Sequence, residues 1–120
     1  MYNITFYETA DGKSELWDFL EELRIKASTN KDARVQLKQI NLCIQLLQEN
    51  GTHISDKITK HLGGGIWELR PGHNRIFYFY FEKDTFVLLL HFRKKTQKTP
   101  KREIERAKAE IVDYLSRKES

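Results

Sequence analysis

The spacing of apolar positions changes along the chain, and each change predicts a new element. Tyr2 to Glu8 (YNITFYE) mixes aromatic and β-branched residues, which fits a strand, and the turn pair Asp11-Gly12 ends it. Ser14 stands where a helix cap belongs, and Leu16, Leu20, Leu23 and Ala27 then recur at steps of four, three and four, with Trp17 and Phe19 widening the stripe. Ser28, Thr29 and Asn30 interrupt that pattern. A second helix is predicted from about Lys31 to Asn50, with Val35, Ile40, Cys43, Leu46 and Leu47 as its stripe and Asn50-Gly51 as its stop. The two helices should form a hairpin.

Beyond it the period shortens. A polar stretch, Thr52 to His61, leads to Gly63-Gly64-Gly65, expected as a flexible lead-in to the next strand because it lacks the flanking strand and helix of a phosphate-binding loop. Three strand-like runs follow, Ile66 to Arg70, Asn74 to Phe81 and Thr85 to Phe92, separated by Pro71-Gly72 and Glu82-Lys83-Asp84. These turns predict an antiparallel meander. Pro100 then suits the first turn of a last helix, whose stripe is Ile104, Ala107, Ile111 and Leu115. The order is β-α-α-β-β-β-α, an α+β fold with an antiparallel sheet and helices packed on one face, which leaves the other face for a site.

Composition narrows the function more than the fold. With 120 residues, 39% hydrophobic and 32% charged, the chain is expected to form a single domain with a modest core. No apolar run approaches the roughly 20 residues that cross a bilayer, and no basic-then-apolar leader opens the sequence, so no membrane role and a cytoplasmic location are expected. One cysteine, Cys43, excludes an intrachain disulfide, and its apolar neighbours point to packing rather than nucleophilic chemistry. His53, His61, His73 and His91 lack ligand spacing, so neither a metal nor another cofactor is expected.

The charge is unevenly placed. Residues 1–50 hold six Lys or Arg against eight Asp or Glu, and residues 51–120 hold fifteen against nine. Arg93, Lys94, Lys95 and Lys98 directly follow the last strand, Arg70 closes the first strand of the meander, and Arg75 opens the second. Arg70 and Arg75 flank one tight turn, where like charges repel unless an anion sits between them or they point apart. Alternation puts Glu68 on the face of Arg70, as an ion-pair partner or as an acid or base beside a cation. Tyr78 and Tyr80 alternate with Phe77, Phe79 and Phe81, so a tyrosine face, with Tyr80 on it, offers either sheet packing or a stacking surface for a base.

From Gly64 onward the residues become specific. GGIWELRPGHNRIFYFYF, followed by LLLHFRKKTQKTPKREIERAKAE, resembles the HigB branch of the RelE/ParE toxin superfamily, including its phage-derived relatives. The resemblance implies a small ribonuclease, the toxin of a type II toxin–antitoxin pair, that enters the ribosome and cuts mRNA without a metal. In such enzymes the RNA 2′-hydroxyl attacks the adjacent phosphate, and the reaction needs cations around the developing charge, a proton acceptor and a donor to the leaving oxygen. By position, Arg75 is implied as the contact to the scissile phosphate and Arg70 as its support. Lys94 and Lys95 are implied in charge stabilisation or proton donation, Lys98 and Arg93 in backbone binding, and His91 in proton transfer. The partner implied is a HigA-like helix-turn-helix antitoxin, through which alone the complex would touch DNA.

One departure stands out. Ribonuclease members carry lysines on the strand that ends at Arg70, whereas this chain has Ile66 and Glu68 on that face. The base is then Glu68 or His91, or the work moves to Lys57, Lys60 or His61 in the preceding segment, or catalysis is weaker; Lys57 and Lys60 are otherwise implied in RNA binding. A toxin that binds the ribosome or DNA gyrase without cutting, and a plain RNA-binding module with salt-sensitive affinity, are the competing readings.

Overall fold

The computed structural model describes residues 1–118. Its elements are β1 (Asn3–Phe6), α1 (Glu15–Lys26), α2 (Lys31–Asn50), β2 (Thr59–Gly63), β3 (Ile66–Leu69), β4 (Asn74–Phe81), β5 (Thr85–Arg93) and α3 (Lys101–Lys118). The expected α+β class and the succession of helix pair, meander and final helix are present, with a further strand ahead of the meander. The sheet order is β1-β5-β4-β3-β2; β1 pairs with β5 in parallel, and the other neighbours are antiparallel.

Local chemistry sets the helix ends. Ser14 caps α1 by accepting the Trp17 amide at 3.1 Å, and Asn30 caps α2 through the Ala33 amide at 2.9 Å. Gly51 ends α2 at φ 62°, and a side chain there would collide with the Tyr2 ring 2.9 Å away, so backbone conformation and space both call for glycine. Gly64 and Gly65, with φ of 61° and 82°, form the two-residue turn between β2 and β3. Positive φ at both positions is what the tightest hairpins need. The triple glycine is therefore the tip of a hairpin rather than a flexible lead-in. The preceding Thr59–Gly63, read from sequence as a polar stretch, is the edge strand β2; it buries only Thr59, so no apolar alternation announces it.

The helices divide between the two faces of the sheet. Leu16, Leu20 and Leu23 of α1 and Ala33, Ile40, Cys43 and Leu47 of α2 pack on Leu69, Ile76, Tyr78, Phe86 and Leu88. On the opposite face Ala107, Ile104, Ile111 and Tyr114 of α3 pack on Phe77, Phe79, Val87, Leu89 and Leu90. One-sided packing thus holds for the hairpin, while α3 covers part of the face expected to be open. Val35, assigned to the α2 stripe, points outward. Cys43 is buried, and burial pushes its thiol above the ordinary value, in keeping with a packing role.

A bulge in β5 decides which residues meet α3. Phe77 pairs with Leu90 but Tyr78 pairs with Leu88, so Leu89 is an extra residue in the ladder. Leu89 and Leu90 consequently both join the α3 face. His91, which strict alternation from Val87 would put there as well, turns to the α1 side instead, where its ring stacks on Phe19 at 4.1 Å.

Candidate functional site

Glu68 lies on the α3 face of β3, 0% exposed. Its Oε1 accepts from Arg70 Nε at 2.8 Å and lies 4.0 Å from Arg75 Nε, and its Oε2 accepts from the Thr99 hydroxyl at 3.5 Å. The strands bring these groups together. Glu68 is paired with Phe77 on β4, and Arg75 lies two residues before Phe77, on the same face. Arg75 is further held where its Nη1 donates to the carbonyls of Gly72, at 2.7 Å, and Asn74, at 2.9 Å. Its Nε is buried without a hydrogen-bond partner. Burial, the largest influence, pulls its guanidinium below the ordinary value; Glu68 opposes that shift and Arg70 adds to it.

Around this triad the chain places amines. Lys60 on β2 is directly opposite Glu68 and so shares its face, with an exposed side chain. The Lys94 amide donates to the His73 carbonyl at 2.8 Å, which continues the β4–β5 ladder by one residue; alternation then puts Lys94 with Phe92 and Arg75. From there the loop 94–100, with Lys95 and Lys98 exposed, runs back to Thr99 over Glu68. Two guanidinium groups, one 25% and the other 14% exposed, share one buried carboxylate, with Lys60 and Lys94 on the same face. The patch keeps a surplus of positive charge and has geometric order, which suits an anion whose charge is spread over several oxygens.

Other candidates lie elsewhere. His91 is on the α1 side against Phe19, and burial, ahead of the opposing Glu15 and the reinforcing Arg106, depresses its pKa. Arg93 pairs with Asn74, whose amide reaches Gln36 of α2, so Arg93 falls on that side too. Tyr78 is fully buried with its hydroxyl 2.6 Å from that of Thr59, so the tyrosine face is mostly core. Tyr80 is 47% exposed, but its hydroxyl donates to the Lys83 carbonyl at the far end of β4 from Arg75. Lys57 is exposed in the segment before β2. Glu68 itself is sealed beneath its partners, so it orients the two arginines rather than meeting a substrate hydroxyl. Thr99 was not singled out by sequence, and a hydroxyl before a helix-opening proline carries no signal of a reach back to β3.

Larger clefts, of about 550 Å³ beside β1 and about 580 Å³ on the outer side of α2, are lined by residues away from these cations. Among the described residues no helix is long and apolar enough to cross a membrane, and no group of three His, Cys, Asp or Glu side chains is placed to hold a metal ion.

Comparison with solved structures finds the YoeB–YefM complex from Staphylococcus aureus, at 19% identity and a TM-score of 0.48 over 80% of this chain and 99% of that one. A heterotetrameric YoeB–YefM toxin–antitoxin complex from the same organism gives 18% and 0.47 over the same shares. No curated protein sequence matches the chain. A family profile, that of the phage-derived Gp49-like proteins (DUF891), matches residues 29–111, which take in α2, strands β2 to β5 and the first part of α3. That span bears out the phage-derived branch expected from Gly64 onward: the chain belongs to the phage-derived Gp49-like family.

Proposed function

We propose that this protein is the toxin of a type II toxin–antitoxin pair and acts in the cytoplasm as a ribosome-dependent endoribonuclease on mRNA. The observation that carries this reading is the pair Arg70 and Arg75, fixed side by side on buried Glu68 and bordered by the lysine loop. In-line attack of a 2′-hydroxyl on its own phosphate puts extra negative charge on the equatorial oxygens, and two pre-oriented guanidinium groups meet that charge without reorganising. Arg75 is the principal contact and Arg70 its support. Lys94, which shares the face of Arg75, donates to the departing 5′-oxygen in this reading, while Lys95 and Lys98 hold the flanking backbone. With Glu68 sealed and His91 turned to α1, the amine of Lys60, opposite Glu68, is the group left to draw the proton from the 2′-hydroxyl. A HigA-like helix-turn-helix antitoxin is the partner that keeps the enzyme silent.

That the carboxylate beside the arginines, Glu68, is sealed and His91 is turned to α1 also favours a second reading, a toxin that occupies the ribosome or DNA gyrase without cutting. Mapping transcript 5′ ends after brief induction separates the two. Cutting yields new 5′-hydroxyl ends at fixed codon positions, reduced about a hundredfold or more by Arg75→Ala. Growth arrest without new ends would overturn the ribonuclease reading.

A further inference from the structure

A cleft of about 380 Å³ opens at the free edge of β2, between the segment 52–57 and the ends of β2 and β3. One wall is aromatic. His61 and Trp67 are cross-strand partners on the side of the sheet away from Glu68, with ring centroids 4.7 Å apart and planes 38° from parallel. Trp67, on β3, packs in part against the core and is half-buried, while His61, on the edge strand β2, is exposed, so the pair presents ring surface to water beside the sheet edge. Arg70 lines the same cleft while its Nε is held by Glu68, so a single guanidinium is shared between cleft and cation cluster. Lys60 and Asp56 line it too. Both cations of the cleft belong to the Glu68 side, Arg70 through its bond to Glu68 and Lys60 as its cross-strand partner, so a phosphate stays on that side and the uncharged end of the same nucleotide goes to the rings. Half-exposed aromatic faces beside a backbone-binding arginine are the means by which single-stranded RNA is held base by base.

We propose that this cleft takes one nucleobase of the RNA strand, stacked on the Trp67 and His61 rings with its phosphate on Arg70. The proposal rests on the reading of RNA as the substrate and adds a subsite to it: the enzyme grips a nucleotide next to the cut by its base as well as its backbone.

Trp17 and Trp67 are the two tryptophans of the chain, and Trp17 is about half exposed, so in a Trp17→Phe protein indole fluorescence reports on Trp67 alone. The probe is a 2′-O-methylated trinucleotide, which cannot be cut, compared with the same backbone carrying no bases. Saturable quenching by the trinucleotide, with the abasic backbone binding at least tenfold more weakly, is expected. His61→Ala should weaken the trinucleotide about tenfold and leave the abasic backbone unaffected. Equal binding of the two probes, no saturable quenching, or unchanged affinity in His61→Ala would overturn the proposal. Because the readout is binding of an uncleavable probe, a protein that quenches as expected but produces no cut transcripts would sink the ribonuclease reading alone. One that cuts transcripts without quenching would sink this subsite alone.

Discussion

Between the sheet and the α1–α2 hairpin, the contact is made by side chains that carry no charge: Leu16, Leu20, Ile40 and Leu47 against Ile76, Tyr78 and Leu88, with the tyrosine hydroxyl satisfied by Thr59. Between the sheet and α3, the apolar contact around Ala107 is flanked by ions at both ends. Glu68, Arg70 and Arg75 lie toward the start of α3, and Arg106, Glu110, Asp113 and Arg117 lie along it. The α3 helix is tied to the rest by polar links as well as by this apolar contact. Arg106 pairs with Glu15 of α1, and the Tyr7 hydroxyl donates to Asp113 at 2.6 Å. The difference separates two tasks. An apolar interface resists change of shape or charge and makes a scaffold, whereas a polar one can meet an anion because its groups are already charged and oriented.

Truncation of one side chain on each face tests that separation most strongly. Leu47→Ala opens a cavity in a site with no exposure, and a loss of about 2 to 5 kcal/mol is expected in urea denaturation. Ile111→Ala, at a half-buried position on α3, should cost about 1 kcal/mol. Equal losses would mean that α3 is as much a part of the core as the hairpin. Next in size is Glu68→Gln, which leaves two adjacent arginines without their buried counter-charge. Because both guanidinium groups reach water in part, about 3 kcal/mol is expected, at the low end for a broken buried pair. The lysine loop should loosen with it, seen as faster amide exchange from Lys94 to Thr99. Unchanged stability and exchange would show that Glu68 does not organise the patch.

The two faces were not equally legible in the sequence. The α1–α2 hairpin could be placed nearly to its caps, because helical periodicity and the Ser14, Asn30 and Gly51 signals are local. The α3 face depends on pairing, which is not. Strand β2 has one buried residue, and Lys60 and His61 look like loop residues until they are set beside Glu68 and Trp67. His91 is adjacent to the lysine run in sequence, yet one extra residue, Leu89, turns it to the opposite side of the sheet. Neither a bulge nor an edge strand has a reliable signature in a single sequence. The proximity of Arg70 to Arg75 was readable because a tight turn fixes it, and so was the shared face of Glu68 and Arg70, but not the completeness with which Glu68 is covered.

A smaller effect sharpens the comparison through pH. Burial, the largest cause, raises the Glu110 carboxyl to about 7; Arg106 opposes the shift, and Glu15, Glu103 and Asp113 reinforce it. The folded state therefore keeps a proton that an unfolded glutamate releases near 4.5, so this contribution is present below 4.5 and lost as pH rises through about 7. Glu110→Gln should remove that fall in melting temperature between pH 5 and pH 8. His91, held below its ordinary 6.5 by burial, acts in the other direction, its contribution being present above 6.5 and lost as pH falls. A variant retaining the wild-type fall above pH 5 would place the titration elsewhere.

The least effect is expected from Arg106→Ala, and its sign with pH is the informative part. Arg106 is more than one-third exposed and its partner Glu15 still more so, so the link between α3 and α1 is a surface pair worth less than about 1 kcal/mol. At pH 5, with Glu110 protonated, the substitution should hardly register in thermal denaturation. At pH 8 Glu110 is ionised beside Glu103 and Asp113, and Arg106 is the cation that offsets them, so the same substitution should cost more there than at pH 5. A purely apolar interface would show no such difference, and on the hairpin side His91 titrates in the opposite direction. An identical loss at both pH values would mean that the ions along α3 are bystanders and that this helix is held on the same terms as the hairpin opposite.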